Sequence, residues 1–303
     1  MDKNWVRRQL DLLGKRPLHS LGQHFLTDGA LVQRCVEWSQ LGADGLAVEI
    51  GPGLGTVTRA LLERGARVHA VERDGQLADL LRGTLEKEFP GRLLIHCADA
   101  LSLPLAGLSA ERAGEARVVA NLPFAISTPW LDALLTGPLP RSLTLFLQRE
   151  TAERLLAEAP SRRRSALGVR LSCAYLAMRH LSVPPEAFHP RPRVQSQLVH
   201  WERRPEFFCF SAPCRSAMRH CFLNRRKLLA AAIRSLASHP NHCELRRWFG
   251  DLLGQGHSER TLRAEELENR HWQSLELLFR GEKIRSARGT EAMPRPGGRG
   301  GGN

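Results

Sequence analysis

Hydrophobic positions in the first half of the chain switch between two periods. Leu31, Val32, Cys35 and Val36 fall on one face of a 3.6-residue repeat and predict a helix over 29–38. Leu46–Ile50 is instead a short, largely apolar run, read as a buried strand that ends at a glycine-rich turn. Thr56–Arg64 returns to helical spacing and stops at Gly65. The pattern then repeats, with strands predicted over Arg67–Val71, Arg92–Cys97, Arg117–Ala120 and Ser142–Leu147 and a helix over Leu77–Glu88. Strands separated by helical patterns predict an α/β fold with a parallel, doubly wound sheet. Ligands of such sheets sit beyond the carboxyl ends of the strands. The unusual residues of this sequence lie there: the glycines after Ile50, then Glu72, Asp99 and Asn121.

The texture changes near residue 150. Arg162, Arg163 and Arg164 are consecutive, and Pro184, Pro185, Pro190 and Pro192 predict a loop. Val194–Trp201 is expected to return to the sheet as a late strand. Beyond Arg204 the pattern is largely helical to about residue 280, and residues 281–303 are rich in Gly, Arg and Pro, the composition of a disordered tail. Residues 1–20 hold Lys3, Arg7, Arg8, Lys15 and Arg16 against Asp2 and Asp11, and read as a basic arm, helical in part. The expected organisation is a sheet domain over 1–203 with this arm, a helical domain over 204–280, and a tail over 281–303.

Composition narrows the partner. The chain has 303 residues, 42% hydrophobic and 25% charged, and carries a formal charge of +13. That balance favours a polyanion, nucleic acid or an anionic membrane surface. No apolar run approaches the ~20 residues of a bilayer span, so no membrane insertion is expected. The charged start lacks a signal-peptide core. The seven cysteines are scattered, which fits a reduced, cytoplasmic protein. Cys35, Cys97 and Cys173 read as core thiols. Cys209, Cys214, His220, Cys221, His242 and Cys243 contain no C-x-x-C pair and have irregular spacing, so no metal site is expected.

The chemistry-bearing residues follow the strand ends. Glu49-Ile50-Gly51-Pro52-Gly53-Leu54-Gly55 lets the backbone turn tightly against a ligand, and its G-x-G-x-G spacing is typical of S-adenosylmethionine-dependent methyltransferases. The dinucleotide fingerprint would need Gly at position 56, where Thr stands. Glu72, about 20 residues on, can accept both ribose hydroxyls and would repel a 2′-phosphate. The competing reading is a solvated acid paired with Arg73. Asp99 can accept from an adenine amine, or it can cap a helix. Asn121-Leu122-Pro123-Phe124 suits amine methylation. The Asn121 side-chain oxygen and the Leu122 carbonyl can accept the two N–H bonds of an amine, Pro123 stiffens the turn, and Phe124 offers a ring for a base to stack on.

These motifs, in order, resemble the ribosomal RNA adenine dimethylases over about residues 19–280. Leu21-Gly22-Gln23-His24-Phe25-Leu26 resembles the family's N-terminal signature. Val48–Gly55 resembles its cofactor loop. Asn121-Leu122-Pro123-Phe124 with Ile126-Ser127-Thr128-Pro129 is similar to its catalytic run. Phe188–Ser196, Arg225-Arg226-Lys227 and Leu262–Leu267 are similar to later segments. Three positions depart from the usual pattern: His24 stands where Asn is commoner, Phe124 where Tyr is commoner, and Gln195 where Asp is frequent. The resemblance implies a class I methyltransferase, Rossmann-like, with a mostly parallel sheet, an antiparallel last strand beside Leu143–Leu147 and a small all-α C-terminal domain. It implies that His24 and Leu26 line the methionine end of S-adenosylmethionine, with Gly51 and Gly53 facing the cofactor, Glu72 the ribose and Asp99 the adenine. Asn121 would bridge cofactor and target amine, and Phe124 would stack on the base.

The implied reaction is dimethylation of the N6 amine of neighbouring adenosines near the 3′ end of small-subunit ribosomal RNA. The implied partner is that RNA or a pre-30S particle, met by a monomer. Arg215, Arg219, Arg225, Arg226 and Lys227 lie in Cys214–Ser235, a stretch read as helical and free of acidic residues, and are the candidate phosphate contacts. Two rivals remain at this stage. One is a large-subunit adenine methylase, which the long C-terminal region and Leu262–Leu267 disfavour. The other is a ribosome-assembly or transcription factor with secondary catalysis, which the intact motif set disfavours.

Overall fold

In a computed structural model, which describes residues 2–17 and 23–282, a seven-stranded sheet carries helices on both faces. The chain enters through helix α1 (Lys3–Leu12), capped by the Asp2 side chain, and a two-residue strand β1 (Phe25–Leu26). Then α2 (Gly29–Trp38), β2 (Leu46–Ile50), α3 (Thr56–Glu63), β3 (Arg67–Glu72), α4 (Gly75–Gly83), α5 (Leu85–Glu88) and β4 (Leu93–Cys97) alternate. The helix expected over 77–88 is two helices, broken at exposed Thr84, whose hydroxyl bonds back to the Leu80 carbonyl. The next elements are α6 (Ala110–Glu115), β5 (Arg117–Asn121), α7 (Phe124–Leu134), β6 (Ser142–Gln148), α8 (Arg149–Leu156) and α9 (Ala166–Ala174). They are followed by β7 (Tyr175–Val183), β8 (Phe188–His189) and β9 (Ser196–Arg203).

The sheet order is β4-β3-β2-β5-β6-β9-β7. Its first five strands are parallel, and β9 runs antiparallel to β6 with Val199 opposite Leu145, as the late strand was expected to do. Strand β7 has no counterpart in the sequence reading. It is an edge strand with little period-2 burial, so its alternation is not written in the residues. Edge placement also explains Cys97, which is exposed rather than in the core: it closes β4 at the opposite edge.

Alternation builds two cores. Val48, Ile50, Val118 and Ala120 point to a face covered by Trp130, Leu131 and Leu134 of α7 and Ala152 and Leu155 of α8. Ala47, Val68, Ala70 and Val119 point to the other, covered by α2, α3 and α4.

Beyond Arg203 the chain is helical, with α10 (Ala212–Leu223), α11 (Leu229–Arg234), α12 (His242–Gly254) and α13 (Asn269–Phe279). Trp248 and Trp272 pack 5.2 Å apart at the centre of a third core, which also takes in Val169 and Cys173 of α9. The expected tail lies outside the described residues beyond position 282.

Candidate active site

The strand order reverses between β2 and β5, and a cavity opens where the carboxyl ends of β2, β3, β4 and β5 converge. Beyond β2 the backbone turns through Gly51, Gly53 and Gly55. At Gly53 φ is +59°, and a Cβ there would come within 3.0 Å of the Phe25 ring. At Gly55 φ is +81°, and a Cβ would collide with Leu81 and Leu85 at 2.6 and 2.7 Å. Both positions therefore require glycine on two grounds, conformation and space.

Glu72 closes β3 and is buried. Its Oε2 accepts from the Gly53 N–H at 3.0 Å and its Oε1 from the Asp74 N–H at 2.9 Å. These two backbone donors fix the carboxylate plane against the glycine turn and leave lone-pair positions open toward the cavity. Burial pushes its pKa above the ordinary carboxylate range, helped by the Asp74 charge, and the backbone N–H groups of Asp74, Gly53 and Arg73 pull against that rise. Among the described residues the Arg73 guanidinium forms no ion pair with Glu72. Arg73 instead lies 3.6 Å from Asp99. Asp99 lines the same cavity, and its Oδ1 accepts from the Leu101 N–H at 2.9 Å, so it also caps the turn after β4.

Asn121 ends β5 and lines the cavity. Its Nδ2 donates to the His24 carbonyl at 2.7 Å. The His24 ring nitrogen Nδ1 lies 2.7 Å from the Pro190 carbonyl, an acceptor only, so Nδ1 carries the proton. The His24 and Phe124 rings are 5.6 Å apart. Strands β1 and β8 pair antiparallel, Phe25 opposite His189, which brings the N-terminal motif and the Phe188–Ser196 segment to one site.

The cavity is lined by His24, Leu26, Gly51, Gly53, Glu72, Asp99, Asn121 and Pro123 of the sequence-selected residues. Leu122 and Phe124 are not on its wall. The Leu122 side chain is buried in the core, and Phe124 sits half-buried at the start of α7. Leu21 and Gly22 lie outside the described residues.

Three features of the site were given no role by the sequence reading. Phe25 seals the glycine turn. Glu49 is buried, has no hydrogen-bond partner on Oε2 among the described residues, and lines the cavity. Burial pushes its pKa up to about 8, Thr58 lowering it and the Glu72 charge raising it further. In the sequence it entered only as the acid two positions before the glycines of the G-x-G-x-G turn, with no role of its own. The third, an ion pair between Lys15 and Asp74, joins residues 59 positions apart and has no local signature.

The basic candidates sit elsewhere. Arg215 and Arg219 project from α10, where Arg215 donates to the Phe210 carbonyl at 2.8 Å and Arg219 pairs with Asp132 at 2.8 Å. Arg225, Arg226 and Lys227, read from the sequence as helical, instead form the exposed turn between α10 and α11. Arg225 donates to the Arg162 carbonyl at 3.0 Å, so the arginine run after α8 joins the same surface. Among the described residues no group of three or more His, Cys, Asp or Glu could hold a metal ion.

The sheet order, the glycine turn and the acidic residues ending successive strands define a class I S-adenosylmethionine-dependent methyltransferase. Residues 15–247 match the profile of the ribosomal RNA adenine dimethylases, and the chain belongs to that family. It is 41% identical over 272 residues to the ribosomal RNA small subunit methyltransferase A of Opitutus terrae, covering 90% of this chain and 96% of that protein. It is 36% identical over 241 residues to the protein of that name from Phenylobacterium zucineum, covering 78% of this chain and 82% of the other. Among solved structures, a dimethyladenosine transferase from Plasmodium falciparum superposes with a TM-score of 0.71 at 21% identity, over 85% of this chain and 98% of that one. The 23S rRNA methyltransferase ErmE superposes with a TM-score of 0.59 at 26% identity, over 83% and 97%.

Proposed function

We propose that this chain transfers methyl groups from S-adenosylmethionine to the N6 amines of neighbouring adenosines near the 3′ end of small-subunit ribosomal RNA. The observation that carries this reading is the pinned amide of Asn121. Its nitrogen is engaged by the His24 carbonyl, so Oδ1 is the atom left to accept an amine proton at the cavity.

The cavity suits the cofactor. Glu72 has lone pairs for two ribose hydroxyls, and the uncompensated Glu49 oxygen suits the cationic methionine end beside His24 and Leu26. The left-handed glycines let the backbone of the turn line the cavity directly, and Asp99 stands at the adenine end. When bound, the cofactor supplies an electrophilic methyl group on a sulfonium. The protein holds the amine. Asn121 Oδ1 and the Leu122 carbonyl accept its two N–H bonds, which favours a pyramidal nitrogen with its lone pair free for in-line attack. Phe124 stacks on the extruded base. No ionisable base is needed before attack, because the ammonium product sheds its proton readily.

In this reading 1–203 binds cofactor and 204–280 carries the RNA contacts, supplied by Arg215, Arg219, Arg225, Arg226 and Lys227. The substrate is the small-subunit RNA or its precursor particle, met by a monomer in the cytoplasm. Among the described residues no helix is long and apolar enough to cross a membrane.

The test uses labelled S-adenosylmethionine with small subunits lacking the modification, beside large-subunit RNA and an Asn121→Ala control. Label in dimethyladenosine of the small subunit, absent with the control, is the expected result. Label confined to large-subunit RNA would move the target to that subunit. Cofactor binding without any transfer would make the chain an assembly or transcription factor.

A further inference from the structure

We infer that Lys15 is a positioning residue for the ribose end of the cofactor site, acting through Asp74 on Glu72. The inference rests on the reading of the cavity as an S-adenosylmethionine site.

Lysine is almost never buried unless paired. The Lys15 side chain is 10% exposed and that of Asp74 5%. The ammonium lies 2.7 Å from Asp74 Oδ1, 2.5 Å from Oδ2 and 2.9 Å from Gln76 Oε1. Breaking such a pair from one side leaves an uncompensated charge, whereas keeping it adds little net stability. What it does provide is a fixed position for Asp74.

Asp74 is a junction. Its peptide N–H donates to Glu72 Oε1, one of the two bonds that set the plane of that carboxylate. Its side chain caps α4 through the N–H groups of Gln76 and Leu77 at 3.2 and 3.4 Å. It also accepts from Gln23 at 3.2 Å, a residue of the cavity wall one position before His24. Apolar contacts hold the same segment down: Val6 and Leu10 of α1 pack with Phe25, Leu54 and Leu77, flanking the glycine turn. Lys15 touches none of the cavity itself. Without it, Asp74 keeps Gln23 and the two α4 N–H donors but loses the ammonium that balances its charge, so the carboxylate shifts toward solvent or toward its remaining donors. That shift moves the peptide whose N–H orients Glu72. Asn121 and the basic surface lie on other elements and share none of these bonds.

The test compares the full chain with Lys15→Met, which keeps the aliphatic stem, and Lys15→Arg, which keeps the charge. Calorimetric titration with S-adenosylmethionine is run beside steady-state kinetics on small subunits. For Lys15→Met, cofactor Kd and KM should rise about tenfold, the middle of the range for groups in one network. Its kcat at saturating cofactor and its KM for RNA should stay within about twofold, and Lys15→Arg should recover most of the affinity. Unchanged cofactor affinity in Lys15→Met overturns the inference, as does a fall in kcat or RNA affinity as large as the fall in cofactor affinity. If Lys15→Met does not fold, Lys15→Gln carries the same comparison. Failure of the unsubstituted chain to bind S-adenosylmethionine would instead overturn the reading of the cavity.

Discussion

The Asn121 side chain and the His24 main chain are joined by a 2.7 Å hydrogen bond from Nδ2 to the carbonyl oxygen. A carbonyl can only accept, so this contact decides which end of the amide faces the cavity. His24 is itself held, through Nδ1, by the carbonyl of Pro190. Three segments far apart in the chain thus cooperate to orient one acceptor.

Removing that acceptor should cost chemistry more than folding. Asn121→Ala is expected to lower single-turnover transfer by about 100-fold or more, the scale of losing one preorganised polar contact to a transition state. Cofactor binding by titration should change far less. Asn121→Asp should be as inactive, because a carboxylate would face the His24 carbonyl with no proton to share. Transfer within about threefold of the unsubstituted rate in either variant would remove Asn121 from the mechanism.

Phe124 contributes a ring and no polar atom. Phe124→Tyr should retain transfer, whereas Phe124→Ala should lose about 1–3 kcal/mol of stacking, seen as a roughly 5- to 150-fold drop in kcat/KM for RNA. Equal losses in both variants would show that the ring is there for packing against His24 rather than for the base.

Glu49 makes stability depend on pH. Its folded pKa, about 8, exceeds the ordinary 4.5, so the folded chain holds a proton that the unfolded chain releases. Stability should therefore fall as pH rises through that window, by up to about 1.4 kcal/mol per pH unit. Glu49→Gln lacks this dependence. In calorimetry without cofactor, its Tm should match the unsubstituted chain near pH 4.5 and exceed it by several degrees near pH 8. A constant Tm difference across the window would contradict the assignment.

Arg226 and Lys227 stand in the exposed turn between α10 and α11. Replacing both by Ala should weaken RNA binding and make the slope of log K against log salt shallower by about 1–2. Cofactor affinity should be untouched. An unchanged slope would place the phosphate contacts elsewhere.

The sequence carried the parallel sheet because buried strands and amphipathic helices have different periods, and β2 to β6 each keep theirs. It did not reveal β7, where an edge position leaves Leu176 and Met178 exposed and erases the alternation. Nor did it separate α10 from α11, since a charged turn and a charged helix face look alike in one dimension. At the site, the strand-end residues were legible because chemistry there demands unusual types: glycines, Glu72, Asp99 and Asn121. Phe25 and the Lys15–Asp74 pair were not, because each acts through a partner distant in sequence and neither residue type is rare.

The third core closes on Val169 and Cys173, residues of α9 that precede the last two long strands of the sheet. A chain cut after residue 203 would leave these side chains facing water on one fragment and an open seam on the other. The helical part is therefore not a cassette that relatives could exchange whole. A functional chimera would have to carry α9 along with it, and protease nicking between the parts should yield fragments that stay together.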